Sequence, residues 1–427
     1  MSIRKTTLVS ISLVLLGACA RVVERSAPEP DGGALGDARA PVDTAYDTTL
    51  AHDAPDHATP SCGTATFHPF APAGWSDVRF PALAPSGSGF VATFVHREDS
   101  SAVLFGVDYP TAAARMRGDL SDLLDAAHEA GIVTDQGGET LRTSLASGAD
   151  GRLATCAVPS ETVDYRVVDG GVAVFDAVGS LLHVARLHAG CADVAFVDGH
   201  WVALETDVDE SGLRHLAVLD GATLEPTQRI AIDEAFDGNA GDRVVALGDH
   251  AIVLVGAVEG PHLFDVDVDA GRVVNDRALA LDVSIDIAPE LDLVAREDRL
   301  SLVYVTRDGT IAWSALDAGL DVVMGPVTLE SETLSYPLID AATMSDGIVV
   351  AWSLGEAPES SLGVALVDDA TGTVTRIETS LPPEYGLATQ TLQVAVSGEV
   401  VAVALHVDDP SVPSSAVGIW SARCRMH

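Results

Sequence analysis

The sequence predicts an all-β fold, a β-propeller of seven four-stranded blades. Two observations carry this prediction: an apolar run recurs about every 50 residues, and short polar turns flank each run. Four short strands per unit and seven such units are typical of a propeller, whereas a β-sandwich needs about seven to nine strands in all. A parallel α/β fold needs helical spacers between its strands, and only one is visible.

The recurring apolar runs are the predicted second strands of the blades, because a run that is apolar at every position suits a strand packed on both faces. Counted from residues 90, 152, 201, 252, 300, 348 and 400, the steps are 62, 49, 51, 48, 48 and 52 residues. The runs are residues 90–94, 153–157, 201–204, 252–255, 300–304, 348–352 and 400–403.

A third strand is predicted after each run, and six of these strands end at an aspartate, which favours turns because it bonds to its own backbone. The turn positions are Asp108, Asp169, Asp220, Asp267 or Asp269, Asp317, and Asp368 or Asp369. Residues 165–187 divide in more than one way, so six or eight blades remain open. The long first step predicts a helical insertion at about residues 111–131 of the first blade, where Leu120, Leu123, Leu124 and Ala127 have helical spacing.

The last unit lacks a fourth strand, since its third strand lies almost at the end of the sequence. An orphan segment precedes the first unit, and one terminus completing the last blade would remove an exposed edge. We therefore predict that residues 63–69 pair beside residues 417–422. Besides Cys19, four cysteines allow three pairings, and closure of the ring favours Cys62 with Cys424 and then Cys156 with Cys191. Free buried thiols are the alternative.

The first 18 residues have the pattern of a signal peptide, with Arg4 and Lys5 before a short apolar stretch. The stretch ends in Leu16, Gly17, Ala18 and Cys19. This segment resembles the lipobox of bacterial lipoprotein precursors. The resemblance implies cleavage after residue 18 and acylation of Cys19, with palmitate among the lipids, and Ala20 favours sorting to the outer membrane.

Charge and composition divide the rest of the chain in two. The 427 residues carry 63 acidic and 24 basic side chains, a net charge of −39. Without residues 1–18, which hold two basic residues and no acidic one, the charge is −41 and no lysine remains. Residues 19–61, rich in Pro, Asp and Ala, are predicted to form a disordered tether, and residues 62–427 the propeller. Such a charge excludes nucleic acid and favours cations or basic protein surfaces as partners.

Catalytic motifs are missing from the sequence, and two propeller motifs occur in part. Residues 368–374 resemble the D-x-x-T-G turn of quinoprotein-type repeats without the usual Trp, which indicates the architecture and not the cofactor. Residues 306–313 resemble the Asp-box of sialidase-like propellers, but Asp and Gly are adjacent, so sialidase chemistry is not implied. The alternating Asp265, Asp267 and Asp269 are interpreted as a turn and not as a calcium site.

A binding face is predicted where the loops between second and third strands and between fourth and first strands open together, hereafter the loop face. Loops held by a rigid scaffold commonly carry binding residues. Blades 1 and 7 are neighbours, as are blades 3 and 4, so His96 can approach His406 and His215 can approach His262. The predicted residues of the loop face are His96, His215, His262, His406, Asp207, Asp209, Phe236, Tyr336 and Tyr385.

Two functions fit these observations. The favoured one is a non-enzymatic binding or scaffolding module, anchored by lipid in the bacterial cell envelope, monomeric, without a cofactor, and with an unknown protein or small molecule as its ligand. The alternative is an extracytoplasmic hydrolase or lyase that depends on a divalent cation bound at the loop face. The propeller lipoproteins of outer-membrane assembly are an architectural analogy for the first.

Overall fold

The structure is a computed structural model, and all of its described elements are strands. It describes residues 60–70, 78–86, 89–96, 102–108, 113–119, 145–157, 162–163, 166–167, 170–177, 180–206, 214–232, 242–256, 260–283, 291–332, 337–354, 361–379, 381–382, 385–408 and 416–426. Within these ranges no helix is long and apolar enough to cross a bilayer.

Apart from one two-stranded hairpin, the strands form seven antiparallel sheets, which are the seven blades, so the predicted fold class is confirmed. Two short strands come first, β1 (Ser61–Cys62) and β2 (Thr66–Phe70). Blade 1 consists of β3 (Val78–Ser86), β4 (Gly89–His96), β5 (Ala102–Asp108) and β6 (Ala113–Asp119). Blade 2 consists of β7 (Leu145–Ser147), β8 (Leu153–Ala157), β11 (Gly170–Phe175) and β12 (Leu181–Leu187), with the hairpin of β9 (Thr162–Val163) and β10 (Arg166–Val167) between its second and third strands.

The remaining blades follow in chain order. Blade 3 is β13 (Gly190–Val197), β14 (His200–Thr206), β15 (Arg214–Leu219) and β16 (Pro226–Ile232). Blade 4 is β17 (Arg243–Leu247), β18 (His250–Val255), β19 (His262–Asp267) and β20 (Arg272–Ala278). Blade 5 is β21 (Leu291–Arg296), β22 (Arg299–Val305), β23 (Ile311–Asp317) and β24 (Val322–Glu330). Blade 6 is β25 (Ile339–Met344), β26 (Gly347–Leu354), β27 (Ser361–Asp368) and β28 (Thr373–Ile377). Blade 7 is β29 (Gly386–Ser397), β30 (Val400–Asp408) and β31 (Ala416–Arg425), completed by β1 and β2.

The apolar core lies between the blades. Every predicted second-strand run falls in the second strand of a blade, and those of its side chains that the structure describes are buried; Val202, Val253 and Val350, for example, are inaccessible to solvent. One hydrophobic cluster joins blades 3 and 4, and others join blades 2 and 3, 4 and 5, 5 and 6, and 6 and 7. Each first strand contacts the first strands of its two neighbours, which closes the ring around the axis.

The predicted closure of the ring is confirmed. Strand β2 pairs antiparallel with the outer edge of β31, from Thr66 opposite Ser421 to Phe70 opposite Val417. Strand β1 continues along the same edge, with Cys62 opposite Cys424. The N-terminal part of the domain therefore supplies the fourth strand that the last unit lacks.

Both predicted disulfides are also present. Cys62 is bonded to Cys424 across the closure, a sequence separation of 362 residues. Cys156 of β8 is bonded to Cys191 of β13, which links blade 2 to blade 3. The first disulfide therefore joins segments that meet at the closure of the ring, and the second joins two consecutive blades.

Replacing Gly418 by alanine is expected to weaken this closure. Gly418 lies opposite Pro69, and a Cβ atom there would collide with the ring of Phe67, which packs on Tyr385 at 5.2 Å between ring centroids. Displacing that ring should lower the free energy of unfolding by about 1 to 2 kcal/mol, measured by urea denaturation. Gly63→Ala is the control, because the nearest atom to its Cβ is 3.7 Å away, and an equal loss in both variants would contradict the expectation.

Two local predictions are wrong. Residues 113–119 of the predicted helical insertion form β6, because they pair along β5 as the fourth strand of blade 1; residues 120–131 lie outside the described residues. In blade 2 the third strand does not end at Asp169. It begins at Gly170, because the apolar segment that follows pairs with β8 and is fully buried. The turn aspartate of this blade is Asp176, which accepts a hydrogen bond from the Ser180 amide at 2.8 Å.

In the other blades the predicted turn aspartates have the expected positions. Asp108 ends β5 in blade 1. In blade 3 the Oδ1 atom of Asp220 accepts hydrogen bonds from the amides of Ala222 and Thr223 at 3.0 and 2.6 Å. Asp267, Asp317 and Asp368 do the same in blades 4 to 6, so this side chain caps the turn between the third and fourth strands.

Candidate functional site

The histidines predicted on the loop face lie in strands and not in loops. His96 ends β4, His215 lies in β15, His262 begins β19, and His406 lies within β30. The strands simply extend further toward this face than the sequence indicates. The approach of these histidines in two pairs stays a prediction, and the side chain of His96 lies outside the described residues.

Two of the histidines are packed into the blades. His262 is stacked on Phe264 with 4.5 Å between ring centroids, and its Nε2 atom is 3.4 Å from a carboxylate oxygen of Asp276. His406 is 1% exposed. Both imidazoles therefore contact the body of the propeller more than they contact solvent.

The other predicted residues of the loop face divide into two groups. Tyr385 is half-buried and packs on Phe67, so it supports the closure of the ring. The other four lie outside the described residues: Asp207, Asp209, Phe236 and Tyr336.

The three alternating aspartates of blade 4 each have a different neighbour. Asp265 is 2.5 Å from Nδ1 of His250, Asp267 accepts a hydrogen bond from the amide of Ala270, and Asp269 is 3.6 Å from Nε2 of His200. Among the described residues, no group of three or more His, Cys, Asp or Glu side chains is placed to hold a metal ion. The divalent-cation alternative stays a prediction of the sequence.

A polar ring around the axis is the site that the sequence did not reveal. Its members, hereafter the axial ring, occupy the first strands of blades 3 to 7 and recur about every 50 residues: Asp193, Arg243, Asp292, Asp340 and Gln393. The recurrence is the signal that an alignment of the repeats would have shown. Each member bonds to the next blade around the ring.

Four of these contacts run from a side-chain oxygen to a backbone amide of the next blade. Asp193 accepts a hydrogen bond from the Val244 amide at 2.9 Å, and Asp292 accepts one from the Ala341 amide at 2.6 Å. The other two are Asp340 with the Val394 amide at 2.5 Å and Gln393 with the Leu83 amide at 3.3 Å. The first strands of blades 3 to 7 and of blade 1 are thereby held in register.

Arg243 breaks this pattern because an arginine side chain cannot accept a hydrogen bond. Its Nε atom donates instead to Oδ1 of Asp292 at 3.1 Å, so blade 4 is joined to blade 5 by an ion pair. Although burial opposes its charge, the carboxylates of Asp292, Asp193 and Asp340 raise the pKa of Arg243. The ring thus holds three carboxylates around one guanidinium.

Burial raises the pKa of all three carboxyl groups. The pKa of Asp193 is raised to about 6 by burial, against the opposing charge of Arg243. The pKa of Asp340 is raised well above its ordinary value by burial and by the neighbouring Asp292, whose own pKa is raised by burial too. In the folded protein the axial ring therefore favours protonated carboxyl groups more than the unfolded chain does.

Asp193→Asn is expected to stabilise the protein at about pH 8, by about 3 kcal/mol. Asparagine keeps an oxygen for the Val244 amide and removes a carboxylate whose ionisation opposes folding. Because the folded-state pKa is raised from 3.8 to about 6, the gain should be full above pH 6 and should vanish as the pH falls toward 3.8. Urea denaturation of both proteins across this pH range measures it.

The matched control is Asp220→Asn. Asp220 is half-buried at its turn, and its hydrogen bonds to Thr223 and Ala222 hold the pKa of its carboxyl below the usual value. The control variant should therefore lose stability above pH 3.8, which is the opposite sign. If both substitutions changed the free energy of unfolding in the same direction, the raised pKa of Asp193 would be refuted.

Most of the described arginines form ion pairs with carboxylates of the same chain. The pair of Arg214 and Asp242 is fully buried at 2.7 Å, and Arg229 donates to the buried Glu205 at 2.5 Å. Nine arginines form such pairs: Arg152, Arg214, Arg229, Arg243, Arg277, Arg296, Arg307, Arg376 and Arg425. Few positive charges are therefore left to offset the acidic surface.

Comparison with known proteins agrees with the architecture. The chain is similar to the BP39L lectin from Burkholderia pseudomallei, with a TM-score of 0.56 and 12% identity over 81% of this chain and 95% of that chain. It is also similar to the hydrazine synthase of Kuenenia stuttgartiensis, with a TM-score of 0.51 and 14% identity over 80% of this chain and 98% of that chain. No family model and no curated protein matches the sequence.

The fold defines the class: this chain contains a seven-bladed β-propeller closed by its N-terminal strands. At these identities the likeness extends to the fold alone, because propellers with different functions share one architecture.

Proposed function

We propose that this chain is a lipid-anchored β-propeller of the bacterial cell envelope, which acts as a binding or scaffolding module and not as an enzyme. The segment from Leu16 to Cys19 supports acylation at Cys19, and Ala20 supports the outer membrane. Residues 19–61 would then tether the propeller to the membrane.

The observation that carries this proposal is the pair of disulfides in the assembled ring. Disulfides persist in oxidising compartments and are rare in the cytosol, so Cys62–Cys424 and Cys156–Cys191 support export of the chain. The first also fastens the N-terminal strand to blade 7, and the second fastens blade 2 to blade 3. A stiff, closed scaffold is what a surface for binding partners needs.

The charge of the chain supports a basic partner. Nine described arginines are paired with carboxylates of the chain and the net charge is −39, so the surface should attract basic protein surfaces or cations. The same charge opposes nucleic acid. The ligand is thus a protein or a small molecule that carries positive charge.

The anchor is tested with the full chain expressed in a Gram-negative host. Labelling with an alkynyl fatty acid should mark the wild-type protein, and it should sediment with outer-membrane vesicles. Cys19→Ala should lose both the label and the membrane association, whereas Cys62→Ala should keep both. A labelled Cys19→Ala variant would refute the anchor.

The partner is tested by capture from envelope membranes on the folded mature chain. Partners bound through the acidic surface should elute at an ionic strength on the order of 0.5 M, because screening is strong there. Identification of an acidic partner, or capture that urea-unfolded protein reproduces, would contradict the proposal.

A further inference from the structure

A cleft of about 320 Å³ opens between blades 5 and 6, on the face formed by the turns between first and second strands and between third and fourth strands, hereafter the turn face. Asp298 and Arg299 contribute from the β21–β22 turn, and Asp369 from the β27–β28 turn. Val323 and Met324 contribute from the start of β24. The lining thus combines both signs of charge with an apolar surface.

The cleft is preformed because its two blades are clasped together. Arg296 of blade 5 donates two hydrogen bonds to the carboxylate of Asp369 in blade 6, at 3.0 and 2.5 Å. A third bond joins its Nη1 atom to the carbonyl of Ser345 at 2.9 Å. The Asp369 side chain is buried and its charge is paired with Arg296, which does not line the cleft.

The apolar part of the lining is accessible. Val323 is 55% exposed, the largest exposed fraction among the described exposed large hydrophobic residues. Met324 is half-buried under Gly372, where a Cβ atom would lie only 2.8 Å from the methionine sulfur. A glycine with a φ of 71° at this turn therefore makes room for Met324 beside the cleft.

Besides Asp369, which is paired with Arg296, the polar part consists of the guanidinium of Arg299 and the carboxylates of Asp298 and Asp317. Arg299 donates from Nη1 to the carbonyl of Asp369 at 3.2 Å and forms no ion pair with the described residues, so further N–H groups can reach a ligand. Asp317 lies opposite Arg299 in the strand pair of β22 and β23, and Asp298 is exposed next to it. The two carboxylates would repel a simple anion, and Arg299 would repel a simple cation.

We propose that this cleft binds an α-amino acid with a branched apolar side chain. The ligand carboxylate would bind Arg299, its ammonium group would bind Asp298 and Asp317, and its side chain would cover Val323 and Met324. Only a zwitterion satisfies both signs of charge at once, and the cleft is large enough for such a molecule. This site is independent of the lipid anchor and of the protein partner proposed above.

The test measures the binding of three related probes to the folded mature chain by saturation-transfer NMR. Leucine should bind in the millimolar range expected for so small a ligand, whereas leucine amide and N-acetyl-leucine should each bind at least about tenfold more weakly. Each capped probe lacks one of the two charges. Equal binding of either capped probe, or no saturable binding of leucine, would overturn the proposal.

Variants locate the binding. Arg299→Gln should weaken leucine binding at least about tenfold, because the charge-assisted contact to the carboxylate is lost. Arg272→Gln is the matched control, since this exposed arginine of β20 does not line the cleft, and it should bind leucine as the wild type does. Unchanged binding in Arg299→Gln would refute the site.

The melting temperature shows whether Arg299→Gln folds, and a second variant keeps the proposal testable if it does not. Asp298→Asn changes an exposed side chain, so it should fold normally and weaken the binding of leucine and leucine amide but not of N-acetyl-leucine. If it leaves the affinity for leucine unchanged, the ammonium contact is wrong.

Discussion

Replacing Cys62 and Cys424 together by alanine should lower the free energy of unfolding by about 4 to 5 kcal/mol. This disulfide spans 362 residues, so its loss frees more conformational entropy in the unfolded chain than the loss of a short loop would. The variant also exposes the outer edge of β31 whenever β1 and β2 detach, and an open edge favours aggregation. Urea denaturation and light scattering measure the two effects.

The control for this prediction is the other disulfide. Cys156 and Cys191 are separated by 35 residues, so the alanine pair there should lose about 3 to 4 kcal/mol and should leave the closure of blade 7 intact. Limited proteolysis should release the N-terminal strands only from the Cys62 and Cys424 variant. If the variant without Cys156 and Cys191 is the less stable of the two, the disulfide that closes the ring does not contribute the larger share of the stability.

Arg243→Met should destabilise the protein by about 3 to 5 kcal/mol at about pH 8, because it leaves buried carboxylates without a counter-charge. The side chain is 31% exposed but contacts Asp292 directly, and its charge opposes the raised pKa of Asp193 and Asp340. Without Arg243 these folded-state pKa values should rise further. The loss of stability in Arg243→Met should therefore grow as the pH rises through these pKa values. It should shrink as the carboxyl groups become protonated at low pH.

A second substitution tests the cause. Arg243→Met with Asp292→Asn should recover part of the lost stability at about pH 8, because one buried negative charge is removed. Arg272→Met is the control and should change the stability by less than about 0.5 kcal/mol, since the residue is exposed on β20. A deficit in Arg243→Met that is independent of pH would refute the electrostatic account.

The acid response of the axial ring differs from that of the protein surface. The turn carboxylates Asp150, Asp220 and Asp308 have lowered pKa values because hydrogen bonds favour their charged forms, and they lose their stabilising effect on acidification. The axial carboxyl groups contribute with the opposite sign. The balance between the two groups sets the pH of maximum stability, and Asp193→Asn should move that maximum toward higher pH.

Local sequence patterns predicted most of the fold. The apolar runs repeat because each second strand packs against blades on both faces, so the burial of a strand such as residues 348–352 is visible in its composition. The closure was predictable for a similar reason: the last unit lacks a strand, and a cysteine lies next to each of the two segments that must meet, Cys62 before residues 63–69 and Cys424 after residues 417–422. Chain connectivity restricted the possible partners to a few.

Where the sequence prediction failed, two segments competed for one position. In blade 2, residues 162–167 and residues 170–175 both have strand-forming composition, and the pairing with β8 selects the second, which is more apolar. The helical spacing at residues 120–127 likewise extended the predicted insertion over residues that pair with β5. Pairing with a neighbouring strand outweighed local preference in both cases.

The amino-acid sequence alone was enough to predict the blade repeat, the acidic composition and the cysteines that close the ring, because these depend on local pattern and on which residues are present. The three-dimensional fold was needed to show that Asp193, Arg243 and Asp292 form one network, that His406 is buried, and that Arg299 faces a cleft. Each of these residues is a single polar side chain in its own strand. Its environment comes from a neighbouring blade about 50 residues away, and no local pattern encodes that neighbour.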